Sequence, residues 1–177
     1  MGNAMTDDNR AVRRTGIGMM LLFWMLFIAM GTWWFHGYVE RQRNPNSHLV
    51  SAVAEGAPVV LERNRGGHFV ATGRINGEPV EFLVDTGATY VALPREMAKR
   101  LGLEPSGSAW FNTANGRVRG ELTTLDEVSL GGHVARDVRG SISAGLEGDT
   151  ALLGMSFLDH FDIRIRDAQM VLEPADG

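Results

Sequence analysis

The chain has 177 residues with a formal net charge of −4, so no basic excess points to nucleic acid as a partner. It has no cysteine, which excludes disulfides, thiolate metal sites and a cysteine nucleophile together. An apolar content of 44% with 22 glycines, most of them after Gly56, fits short strands joined by tight turns.

Residues 1–15 read as a cytoplasmic tail containing Arg10, Arg13 and Arg14. From Thr15 to Phe35 no residue is charged, and residues 16–36 are long and apolar enough for a membrane-spanning helix. Trp33, Trp34 and Tyr38 cluster at its end as an interfacial aromatic belt. The slight arginine bias places the N-terminus in the cytoplasm of a cell with an inner membrane, and the remaining chain on the periplasmic, extracytoplasmic side. The competing reading is a cleaved signal peptide, with Ala29-Met30-Gly31 as the small-residue site. Residues 37–58, with the turn-rich Asn44-Pro45-Asn46-Ser47, read as a linker.

Residues 59–177 read as one all-β domain with one or two short helices. Strands are expected at 59–63, 68–75 and 79–84, with a type I′ hairpin at Asn76-Gly77. The third strand runs directly into Asp85. A strand at 90–93 precedes a short helix, with Pro94 at its first position and Gly102 as its left-handed cap. Residues 110–113 and 117–122 flank Asn115-Gly116 as a second hairpin. Strands follow at 125–130 and 134–142, separated by Gly131-Gly132. Residues 151–157 are apolar and lead to a short helix. Residues 161–166 alternate as a half-buried strand should, and 170–172 form the last strand.

Asp85-Thr86-Gly87 carries the chemistry. An apolar strand delivers one carboxylate; Thr86 adds a buried hydroxyl; Gly87 leaves room for a substrate backbone. Hydrolysis of a peptide by carboxylates needs two of them sharing a proton, one activating water and one donating to the scissile carbonyl. The domain has one such tripeptide and is too short for a duplicated fold. The second carboxylate is therefore expected from a second copy across a two-fold axis. The histidines lack ligand spacing, so no metal or other cofactor is expected. No serine sits in a nucleophile elbow.

The stretch Phe82-Leu83-Val84-Asp85-Thr86-Gly87-Ala88-Thr89 resembles the active-site motif of retropepsin-like aspartic peptidases (clan AA), of the bacterial single-pass membrane-anchored type. Leu152-Leu153-Gly154 resembles that family's second motif, and the hairpin at Thr113, Ala114, Asn115 and Gly116 stands where the family has its flap. The resemblance implies a partly closed acid-peptidase β-barrel acting as a homodimeric aspartic endopeptidase on protein or peptide substrates. Asp85 would be catalytic, Thr86 would brace the dimer, Gly87 and Ala88 would line the cleft, and Thr113 to Gly116 would cover substrate. Gly154 would be structural. Alanine at position 88 cannot hydrogen-bond an ionised Asp85, which implies activity reaching mildly acidic or neutral pH. The alternative is a membrane-tethered peptide-binding or assembly domain with the fold but without turnover.

Overall fold

The computed structural model describes residues 4–50, 56–113 and 116–175, and the chain divides into two compact units, Met1–Arg41 and Gln42–Gly177. Helix α1, Ala4–Arg43, makes up the first unit and ends just inside the second. Its stretch from Gly16 onward is long and apolar enough to cross a membrane. Met19, Phe23, Leu26, Trp33 and Trp34 are all exposed, so the helix is not the core helix of a globular unit. Side chains one turn apart stack, with ring centroids 6.1 Å apart for Phe23–Phe27 and 5.8 Å for Trp34–Tyr38. The Thr32 hydroxyl donates to the Ile28 carbonyl at 2.8 Å, which satisfies it within the helix. The helix passes the expected end at 36. Residues 38–43 hold no breaker, and the first stop signal is Pro45, which disfavours helical backbone at Asn44.

Among the described residues the second unit holds ten strands and two short α-helices. The strands are β1 (Val59–Glu62), β2 (Val70–Ile75), β3 (Glu78–Val84), β4 (Val91–Pro94), β5 (Gly107–Thr113), β6 (Gly116–Leu130), β7 (His133–Ser143), β8 (Thr150–Leu153), β9 (Phe161–Arg166) and β10 (Gln169–Pro174). Helix α2 is Arg95–Arg100 and α3 is Met155–Leu158. The larger sheet runs β2-β3-β8-β4-β7-β6-β5. Two further pairs, Arg74↔Ser129 and Ile75↔Val128, join β2 to β6 and close the first six of these strands into a barrel. The β5–β6 hairpin extends from it, and β1-β10-β9 form a separate antiparallel sheet. The expected all-β barrel with short helices is therefore present.

Alternation sets the register. Val80 and Phe82 point into the barrel, while Glu81 and Leu83 on the other face are only half-buried. Phe82, Leu93, Leu125, Leu153 and Phe157 are fully buried in one continuous core. Each such side chain contributes about 1.5–3 kcal/mol of burial free energy. Asn76 and Gly77 have φ of 50° and 84°, as the type I′ turn between β2 and β3 requires.

Three local expectations are corrected. The expected strands at 117–122 and 125–130 are one strand, β6, which β7 pairs from Glu121 to Leu130 in one register, skipping only Asp126. Pro94 closes β4 and is the N-cap of α2, with an extended ψ of 145°, so the helix begins one residue later. The stretch read as a linker is ordered over its first part. Asn44 and Asn46 are buried, Asn46 completely, and a 3₁₀ turn follows at Ser47–Val50. The Asn46 Oδ1 accepts the Glu62 N–H at 2.7 Å, and its Nδ2 donates to the carbonyls of Glu62 and Val70 at 2.9 and 2.7 Å. One side-chain amide thus serves three backbone groups between β1 and β2.

Candidate active site

Asp85 stands at the end of β3, at the point where that strand stops pairing with β8. These two strands are parallel, with Val84 opposite Leu153, and the Asp85 N–H continues the ladder by donating to the Leu153 carbonyl at 3.1 Å. The chain then turns sharply. The Ala88 N–H donates to the Asp85 carbonyl at 3.1 Å, and the Gly87 N–H donates to the Asp85 Oδ1 at 2.9 Å. This Asx-type closure fixes the carboxylate against its own loop. Its second oxygen has no hydrogen-bond partner among the described residues. The Asp85 side chain is half-buried, while Thr86 and Gly87 are exposed. The sequence suggested a buried Thr86 hydroxyl; within one chain the residue is exposed.

The second motif lies directly against this loop. Leu152 and Leu153 belong to β8, and Gly154 is the N-cap of α3. The N–H groups of Met155 and Ser156, at the start of α3, donate to the carbonyls of Ala88 and Thr89 at 2.8 and 2.9 Å. These are N-terminal helix donors that need partners from outside the helix. Their use ties the loop after Asp85 to α3. Gly154 is required by proximity: a Cβ there would fall 2.6 Å from the Ala88 carbonyl oxygen and still closer to that of Tyr90. Leu153 is fully buried and Leu152 half-buried, so β8 anchors the loop through the core.

The hairpin read as a flap is formed by β5 and β6, with Thr113 opposite Gly116. Ala114 and Asn115, its expected tip, lie outside the described residues. The turn-proximal half of the hairpin reaches the loop after Asp85 through aromatic contact. Phe111 on β5 meets Tyr90 edge-to-face at 5.9 Å, and the Arg139 guanidinium lies over the Tyr90 ring, 5.7 Å from its centroid. Ser156 adds a third link, accepting the Val91 N–H at 3.1 Å and donating to the Arg139 carbonyl at 2.7 Å. Tyr90, Arg139 and Ser156 carried no signal in the sequence. They are an aromatic, a cation and a hydroxyl from three separate segments, brought together by the pairing of β4 with β7 and with β8, which leads into α3. Among the described residues no three His, Asp or Glu side chains are placed to hold a metal ion.

Residues 71–160 match the family described as "gag-polyprotein putative aspartyl protease". A crystal structure of a retropepsin-like aspartic protease from Rickettsia conorii superposes with a TM-score of 0.55 at 31% identity, covering 67% of this chain and 90% of that one. Two uncharacterized proteins are similar in sequence. One, from Sinorhizobium sp, is 37% identical over 59% of this chain and 46% of its own length. The other, from Rickettsia prowazekii, is 32% identical over 60% of this chain and 47% of its own length. The matches thus span just under half the length of these curated relatives.

Proposed function

The chain belongs to the gag-polyprotein aspartyl protease family and has the retropepsin-like fold, and from that premise we propose that it is a membrane-anchored aspartic endopeptidase. The observation that carries the reading is the seating of the Asp85 turn on β8 and α3, which leaves one oxygen of a half-buried carboxylate without a hydrogen-bond partner among the described residues. A second Asp85, from the other chain of a homodimer, completes the pair. Like charges about 3 Å apart do not both ionise, so the two carboxylates share one proton. The ionised one takes a proton from water as it attacks the scissile carbonyl; the protonated one donates to the carbonyl oxygen. A proton then passes to the leaving nitrogen as the tetrahedral intermediate collapses. The exposure of Thr86 in one chain suits a hydroxyl that braces the partner's loop. Gly87 and Ala88 line the cleft, and the hairpin tip at 113–116 closes over substrate and excludes water.

Helix α1 gives the anchor: residues 16–36 cross the inner membrane once, residues 1–15 lie in the cytoplasm, and the catalytic domain faces the periplasmic side. The substrate is a protein or peptide, and no metal or other cofactor takes part. The test is cleavage of a peptide library by the full chain in detergent, beside Asp85→Asn. Turnover in the wild type with a loss of about 10²–10⁴-fold in the variant is expected. Equal rates in the two would reject the mechanism.

A further inference from the structure

The segment that leaves α1 meets the catalytic strands as well as β1. Arg43 Nη2 lies 3.3 Å from Glu81 Oε1, and Asn44 Nδ2 donates to Glu81 Oε2 at 3.2 Å and to the Thr72 hydroxyl at 2.9 Å. Thr150 donates its hydroxyl to Glu81 Oε1 at 2.9 Å. Arg43 Nη2 also approaches that hydroxyl, at 3.5 Å. Glu81 lies on β3 and Thr150 on β8, directly opposite one another in the parallel pair. Four residues further along β3 is Asp85, and three further along β8 is Leu153, whose carbonyl receives the Asp85 N–H. The far end of the pair that holds the catalytic loop is therefore locked by Glu81, about 13 Å of strand away.

We propose that Arg43 and Asn44 act as a positioning clamp for the reaction, holding β3 and β8 in register through Glu81 and so fixing the height of Asp85 in its loop. Two features favour this over a merely adhesive contact. Asn44 is buried, and its Oδ1 accepts the Asn46 N–H at 3.1 Å, so it is held rigidly by the same segment that Asn46 fastens to β1 and β2. Glu81 gathers three donor groups onto one half-buried carboxylate, where hydrogen bonds to a charge are stronger than neutral ones. Clamping is a positioning role, since no residue of the segment touches the reacting atoms. The proposal rests on the peptidase reading for its kinetic consequence, while its structural consequence is independent of that reading.

The experiment uses the full chain in detergent with Asn44→Ala, Glu81→Leu and the isosteric Glu81→Gln, beside Arg164→Ala. The last removes an ion pair to Glu173 in the separate sheet, away from the loop. Rates are measured well below each melting midpoint. The expected result is a fall in kcat of about 3–30-fold for Asn44→Ala and Glu81→Leu, less for Glu81→Gln, with KM within about two-fold and Arg164→Ala unchanged. Amide exchange at Asp85 and Met155 should quicken in the same order. Unaltered kcat and exchange in Glu81→Gln and Asn44→Ala, with only a lower melting midpoint, would overturn the clamp. If wild type and Asp85→Asn cleave equally, the peptidase mechanism fails, and the exchange rates still decide the clamp.

Discussion

At the scale of single residues, the site is a short list of positions where geometry leaves little choice. Gly154 is one. A methyl group there would collide with the carbonyl oxygens of Ala88 and Tyr90, both backbone atoms held by the loop itself. Gly154→Ala should therefore destabilise the fold by about 1–3 kcal/mol or more, read as a lower denaturation midpoint, and should lower activity by displacing the loop. A variant as stable and active as wild type would show that the loop can yield. Position 88 makes a different test. Alanine offers no donor to an ionised carboxylate, and a hydroxyl there would favour the charged form. Ala88→Ser is expected to move the acid limb of the rate profile to lower pH; an unmoved limb would remove Ala88 from the pH response. These two residues stood out in the sequence because each lies within a few positions of a recognisable tripeptide or glycine motif. Tyr90, Arg139 and Ser156 did not, because their importance lies in contacts between segments far apart in the chain.

At the scale of elements, alternation and turn chemistry made most of the barrel legible. Asn76-Gly77 announced its hairpin through the positive φ that both positions adopt, and 161–166 announced β9 by strict alternation. The stretch 37–50 was opaque for a physical reason. Asn-Pro-Asn-Ser is ordinary loop composition, and nothing local shows that Asn46 will be completely buried, with its amide replacing backbone partners. That burial has a measurable consequence. Asn46→Ala leaves the Glu62 N–H and the Glu62 and Val70 carbonyls short of a partner, at a cost of about 1–3 kcal/mol. The melting midpoint should fall by about 3–10 °C; an unchanged midpoint would mean that solvent replaces the amide freely. The hairpin gives a second element-level test. Phe111 joins β5 to Tyr90, and such an aromatic pair is worth about 0.5–1.5 kcal/mol beyond its buried area. If the hairpin is the proposed flap, Phe111→Ala should loosen it near its turn and raise KM more than it lowers kcat. A variant altered only in stability would confine Phe111 to packing.

At the scale of the whole molecule, the fold forces the question of a partner. Each chain brings one Asp85 on one closed barrel, and the proposed chemistry needs two. Activity should then follow the population of dimers rather than of chains. Diluting the detergent-solubilised protein into excess micelles should lower the rate per chain, and concentrating it again should restore the rate. Mixing provides a sharper measure. When wild type and Asp85→Asn are allowed to exchange subunits with random pairing, a mixed dimer keeps only one ionisable carboxylate at its centre. Adding an equal amount of the variant should then cut the wild-type rate to about half, and a threefold excess to about a quarter. A rate indifferent to added variant would mean that one chain suffices, and the shared-carboxylate mechanism would fall. The anchor enters the same equilibrium. As the proposed anchor, a helix of this length would confine the chains to a surface, where the effective concentration of one domain for another is far above the bulk value. Reconstitution into vesicles at a fixed low bulk concentration should therefore recover the rate lost on dilution in micelles. The recovered rate should fall again as lipid is added to spread the chains apart. Insensitivity to the ratio of lipid to protein would separate the anchor from dimerisation and leave it as a means of localisation alone.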